Sequence, residues 1–213
     1  VRRLLLLGDV VVGLDLHSKL DDDESNHQGD SRFTYYQCDV TIAQDVEECV
    51  SRVRRSSPAI ISKGIDVIIN CAGINRGGPL LEMDPRELSR VLNVNVVGAA
   101  NITRYFYSSL VMENGPKLVY ISSEVAWSGV TSAFNVPYSM SKICLESYCV
   151  GLRQELSTLS GDRVPFVVVV NPGAMNTPLL VDSIRHGFEP RKNSRFSEAQ
   201  IKGGKVALDY MER

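Results

Sequence analysis

Hydrophobic positions along this chain follow two rhythms. Five short runs are apolar or aromatic almost throughout: residues 10–15 (VVVGLD), 33–38 (FTYYQC), 65–73 (IDVIINCAG), 117–123 (KLVYISS) and 165–173 (PFVVVVNPG). Their length and β-branched content predict strands, several ending in Gly, Ser or Asp. Between them stand longer segments in which apolar residues recur every three or four positions. Residues 42–55 place Ile42, Val46, Val50 and Val53 on one helical face, with Thr41 positioned as the cap. Asp84 and Pro85 open a second helix, with Glu87 at its third position, that runs to about Met112 before NGP at 114–116 breaks it. A third helix spans about Tyr138 to Leu159, ending near Gly161, and a last one spans 197–211. Residues 174–195, with Pro, Gly and basic side chains, read as a loop with short helical pieces. Strands alternating with helices, each strand apolar throughout, predict an α/β domain: a doubly wound parallel sheet covered on both faces.

Composition narrows the partners. The 213 residues, 44% hydrophobic, suit one domain with a sizeable core. A net charge of -2 leaves no electrostatic footprint for nucleic acid or an anionic membrane surface. The acidic run DDDE at 21–24 reads as a solvated loop. Five cysteines, an odd number without CxxC or zinc-like His spacing, read as reduced thiols and point to a cytoplasmic protein. Asp9 interrupts the opening RRLLLL too soon for a signal-peptide core, and no run approaches the roughly 18 apolar residues of a membrane span.

Candidate chemistry gathers where open parallel sheets bind ligands, at the carboxyl ends of the strands. Asp15, Asp39, Asn70 to Gly73, Ser122 and Ser123, and Asn171 to Thr177 all fall there. Each has a plain structural explanation, a capped turn or a small strand-end residue, and it is the shared placement that marks them. Tyr138 and Lys142 stand four residues apart at the start of a helix and so share a face. A free phenol titrates near pH 10 and a neighbouring cation favours its phenolate, which fits Tyr138 for acid–base work while a strand-end Ser polarises a carbonyl.

NCAG at 70–73, NVNVVG at 93–98, ISS at 121–123, YSMSK at 138–142 and NPGAMNT at 171–177 together resemble the short-chain dehydrogenase/reductase family, over residues 8 to about 180. The resemblance implies a Rossmann-like fold and an oxidoreductase that interconverts an alcohol and a carbonyl by hydride transfer. It makes Tyr138 the acid/base, and Lys142 the cation that lowers its pKa and bonds the nicotinamide ribose. Ser123, the second serine as is usual in the family, positions the substrate oxygen, and Asn95 orders a water chain. The interval from Ser123 to Tyr138 exceeds the commonest family spacing, so the intervening loop is expected to bulge. Asp15 would accept both adenine-ribose hydroxyls and repel a 2′-phosphate, which favours NAD over NADP. Asp39 and Val40 would flank the adenine, and Asn70, Ala72 and Gly73 would line the ribose, with Cys71 replacing the usual second Asn. Pro172, Gly173, Met175 and Thr177 would hold the carboxamide. The expected substrate is a small apolar or amphipathic alcohol or carbonyl compound. Phe134, Met175, Leu179, Leu180 and Phe188 suit an apolar pocket or, equally, the loop's own packing. A homo-dimer or homo-tetramer is expected through the helices at 84–112 and 138–159, with Tyr105, Phe106, Tyr148 and Val150 as outward candidates. Two alternatives stay open: an extended-type epimerase or dehydratase, and a non-catalytic protein that uses the fold for dinucleotide sensing or partner binding.

The family's strand before Asp15 follows a glycine-rich turn and a helix, and RRLLLL resembles that helix's end. A βαβ unit takes roughly 30 residues or more, so about 20 further residues are expected upstream. A closing strand is expected downstream, which makes 1–213 a partial domain in this reading. The family's sheet also places its first strand between the strands of Asp15 and Asn70, so 1–213 by itself is expected to leave two inner edges unpaired.

Overall fold

A computed structural model describes residues 1–18, 30–56, 58–127, 134–159, 164–173, 177 and 179. Strands Val11–Asp15 (β1) and Phe33–Gln37 (β2) pair in parallel, Val11 opposite Phe33 and Asp15 opposite Gln37. Strands Val67–Asn70 (β3), Lys117–Ile121 (β4) and Phe166–Val170 (β5) form a second parallel sheet in the order β3-β4-β5. In register, Asn70 lies opposite Tyr120 and Ile121 opposite Val170. The expected strands are therefore all present, each somewhat shorter than its apolar run. β1 and β3 are not hydrogen-bonded to each other, and each has one ladder edge without a partner among the described residues.

The helices are Arg2–Leu6 (α1), Ala43–Ser56 (α2), Pro58–Lys63 (α3), Pro85–Leu92 (α4), Ala99–Phe106 (α5), Glu124–Trp127 (α6) and Val136–Leu159 (α7). Asn93–Gly98, between α4 and α5, is a π-helical segment. α2 buries Val46, Cys49, Val50 and Val53, the predicted stripe with a cysteine added. Ile42 is 52% exposed and does not join it, because it precedes the helix and contributes only the first accepting carbonyl, to the Val46 amide. Thr41 does not cap either: its amide and hydroxyl both donate to Asp39 Oδ1. Asp84 does cap α4, accepting the Arg86 amide at 2.9 Å ahead of Pro85.

The second predicted helix stops at Phe106 rather than Met112. Ile65 takes the chain away from it, donating to the Ser109 carbonyl and accepting the Val111 amide, so residues 109–111 extend beside the approach to β3. One continuous core joins β2, α2, α5, β3, β4, α7 and β5 through Tyr36, Val46, Ile102, Phe106, Leu118, Tyr120, Leu145 and Val167. Two of the expected outward residues therefore point inward. Phe106 is buried in the core and Tyr148 meets Tyr120 edge-on at 5.9 Å, because α5 and α7 turn these aromatic rows toward the sheet. Val150 is exposed, as expected. β3 alternates rather than being covered on both faces, with Ile68 buried and Val67 and Ile69 exposed. The expected helix at 197–211, and all but residues 177 and 179 of the loop from 174 to 195, lie outside the described residues.

Candidate active site

The candidate site is assembled from strand ends and from α5 and α7, which pack against the strands. The first turns of α7 carry Tyr138 and Lys142, and their four-residue spacing brings Lys142 Nζ to 5.5 Å from the Tyr138 ring centroid. Lys142 is only 4% exposed, and its Nζ donates to the carbonyl of Ile121, the last residue of β4, at 2.7 Å. An ammonium so buried loses hydration, which pushes its pKa down to about 8, the nearby Cys71 thiol acting weakly in the other direction. Burial also dominates at Tyr138 and raises the phenol above its ordinary value, while a hydrogen bond with Ser123 draws it back. Lys142 Nζ is thus held by the Ile121 backbone carbonyl while it lies over the Tyr138 ring.

The two serines at the end of β4 separate by direction. Ser122 is buried with its hydroxyl 3.5 Å from the Lys142 carbonyl, whereas Ser123 faces the phenol. Beyond Ser123 the loop toward Tyr138 begins with α6 and re-emerges at Phe134, whose φ of 66° is left-handed. The Phe134 carbonyl accepts the Gly78 amide at 2.7 Å, which anchors the entry to α7.

Asn70 ends β3 nine-tenths buried, and its Nδ2 has no hydrogen-bond partner among the described residues. Cys71 and Ala72 are exposed beside it, and Gly73 is half-buried. A Cβ on Gly73 would lie 3.6 Å from Asn95 Oδ1 and 3.7 Å from Lys142 Nζ. Asn95 sits inside the π segment, 1% exposed, with its amide fully engaged: Oδ1 accepts the Ile74 amide at 2.8 Å, and Nδ2 donates to the Ile74 carbonyl and to Ser141 Oγ, both at 2.9 Å.

On the β1–β2 side, Asp15 is exposed at its strand end. Its Oδ1 accepts the His17 amide at 3.0 Å and lies 2.9 Å from His17 Nδ1. β2 holds this turn in place: Tyr35 OH donates to the His17 carbonyl and Gln37 Nε2 to that of Leu16. Asp39 accepts Thr41 through Oδ1, and its amide donates to Asp45 Oδ2 at 2.5 Å. The Val40 carbonyl accepts Asn101 Nδ2 at 2.9 Å. A Cβ on Gly98 would come within 2.6 Å of Val40 Cγ2, so this glycine lets the helix press against the loop. On the far side the Pro172 carbonyl accepts the Glu124 amide, and Glu124 Oε2 lies 3.3 Å from where a Gly173 Cβ would stand. Thr177 is half-buried and Leu179 is at the surface; Met175, Leu180 and Phe188 lie outside the described residues.

The strand-end residues expected from the sequence thus lie at the ends of β1 to β5 or in the turns that follow them, except where they lie outside the described residues. Gly98 and Ser141 stand inside NVNVVG and YSMSK without a role of their own in the sequence reading, and Asn101 and Glu124 stand outside its motifs. Their only trace in the sequence is a small or polar residue on a helix face, or beside a strand end, that the apolar pattern does not explain.

Residues 2–186 match the family model described as short chain dehydrogenase. The chain is 30% identical over 141 residues to an NADPH-dependent pterin aldehyde reductase of Arabidopsis thaliana, covering 65% of this chain and 55% of that protein. It is 27% identical to an NADPH-dependent 1-acyldihydroxyacetone phosphate reductase of Schizosaccharomyces pombe, covering 81% and 51% respectively. The chain thus spans about half the length of these curated relatives. A short-chain dehydrogenase from Streptomyces avermitilis superposes with a TM-score of 0.74 at 24% identity, covering 99% of this chain and 72% of that one. With residues 2–186 matched to that model, the chain belongs to the short-chain dehydrogenase family.

Proposed function

We propose that the protein is a dinucleotide-dependent oxidoreductase that interconverts an alcohol and a carbonyl, with Tyr138 as acid/base. The observation that carries this reading is the convergence of Tyr138, Lys142 and Ser123 at the end of β4. Burial keeps the phenol protonated at neutral pH, which suits it to donate a proton to a carbonyl oxygen positioned by the Ser123 hydroxyl. Lys142 supplies the positive charge beside that proton transfer. The residues fit a dinucleotide: the buried Nδ2 of Asn70, without a hydrogen-bond partner among the described residues, and the side-chain-free backbone at Gly73 would form the ribose wall. Asp39 and Val40 would flank the adenine, and Pro172, Gly173, Thr177 and Met175 would hold the carboxamide. When bound, the dinucleotide supplies or takes up the hydride.

Asp15 supports NAD, since its exposed strand-end carboxylate can accept a ribose hydroxyl and its charge opposes a 2′-phosphate. The second reading is NADP, favoured by the NADPH-dependent relatives. The substrate would be a small apolar or amphipathic carbonyl compound or alcohol. Val97, Ile143 and Val150 are exposed apolar residues of the π segment and α7 and are candidates for a contact between copies. The reading includes a reducing, cytoplasmic setting, in keeping with five free cysteine thiols; no helix among the described residues is long and apolar enough to cross a membrane. The test is Tyr138→Phe: turnover should fall by about 10²-fold or more, as for loss of a general acid, with NADH affinity nearly unchanged. Retained turnover would remove Tyr138 from the chemistry.

A further inference from the structure

The turn after β3 and the first turn of α7 are connected by a buried bridge. Asn95 holds both backbone groups of Ile74, in the turn that continues from Asn70–Gly73. Its second amide hydrogen goes to Ser141 Oγ at 2.9 Å, and that hydroxyl donates in turn to the carbonyl of Tyr138 at 2.7 Å. Asn95 is 1% and Ser141 0% exposed, so water does not compete for either contact.

We propose that Ser141 is a positioning residue: its hydroxyl fastens the ribose-side turn, through Asn95, to the first turn of α7, so that the cofactor wall and the Tyr138–Lys142 pair hold one relative placement. This rests on the dinucleotide reading above. A hydroxyl is the smallest side-chain group that accepts one hydrogen bond while donating another. Alanine at this position would leave one Asn95 amide hydrogen facing a dry interior, and a buried donor in that state turns toward another acceptor. Asn95 can turn only by loosening Ile74, because the same amide grips both backbone groups of that residue. The π segment gives the bridge its geometry: it places Asn95 inward at the point where α7 passes, and such single π turns concentrate at functional sites. Ser139 provides the comparison. It lies two residues earlier on α7, is equally buried, and its hydroxyl has no hydrogen-bond partner among the described residues.

The experiment compares Ser141→Ala, Ser141→Thr and Ser139→Ala in the full-length protein by two readouts. Without dinucleotide, hydrogen exchange at the Ile74 amide should quicken about tenfold in Ser141→Ala and stay unchanged in Ser139→Ala. Fluorescence titration with NADH and with NADPH should give a Kd raised about fivefold in Ser141→Ala alone. Ser141→Thr, which keeps the hydroxyl, should restore both. If Ser141→Ala does not fold, Ser141→Cys, a weak donor and acceptor of similar size, replaces it and should move both readouts in the same direction. Unchanged exchange at Ile74 overturns the bridge, and faster exchange with an unchanged Kd overturns its bearing on the cofactor. A wild-type protein that binds neither dinucleotide overturns the functional reading instead, and the exchange measurement still decides whether the bridge exists.

Discussion

Lys142→Met should make the protein more stable at neutral pH while removing its dinucleotide binding. The Lys142 ammonium is 4% exposed, and its pKa is pushed from 10.5 down to about 8 by burial. At about 1.4 kcal/mol per pH unit this corresponds to roughly 3 kcal/mol of cost for keeping the charge inside the fold. The hydrogen bond to the Ile121 carbonyl is lost in the variant, and its net worth of about 1.5–3 kcal/mol for a charged donor leaves a gain of up to roughly 1.5 kcal/mol. Below pH 8 the lysine is charged in both the folded and unfolded chains, so the cost is present in full. Between about pH 8 and 10.5 the folded state has released the proton and the unfolded state still binds it, so wild-type stability rises with pH. Above 10.5 both forms are neutral and the cost is gone. Urea denaturation of both proteins at pH 7, 9 and 10.5 checks this: the advantage of Lys142→Met should be largest at pH 7 and shrink across the window. A variant less stable than wild type at pH 7, or a difference independent of pH, would refute the reasoning that Lys142 is held charged against the fold.

Two further outcomes follow from the adenine side of the cleft. Gly98→Ala puts a Cβ 2.6 Å from Val40 Cγ2, and such overpacking costs about 1–3 kcal/mol. It should lower the melting temperature and weaken NADH binding, and an unchanged Kd would show that Val40 does not border the adenine. Asp15→Ala removes a ribose acceptor and a charge, so the ratio of NADPH to NADH dissociation constants should fall about tenfold, equivalent to about 1.4 kcal/mol. A ratio unmoved by the substitution would take cofactor choice away from Asp15.

The elements that could be read from the chain are those whose signal is local. β5 is legible because four consecutive valines suit a pleated strand, and the interior of α2 because Val46, Val50 and Val53 recur at the helical period. Tyr138 and Lys142 could be paired in advance for the same reason, since four residues along any helix return to one face. Short α3 and α6 escaped because one or two turns carry too little periodicity to register. The end of α5 was misplaced because Ile65, some forty residues earlier, takes the backbone groups of Ser109 and Val111.

What only the tertiary structure decided depends on contacts between segments far apart in the chain. The apolar pattern could not say that Phe106 and Tyr148 face the core, since both faces of α5 and α7 carry large side chains. Nor could it place a π turn at Asn93–Gly98, whose central asparagine is held by Ile74 and by Ser141 on another helix. The surroundings of the Tyr138 phenol belong here for the same reason. Residue type and spacing put a cation beside the phenol, but the balance between charge and lost hydration depends on how much protein surrounds the pair, and that burial exists only once strand ends and helices have packed together.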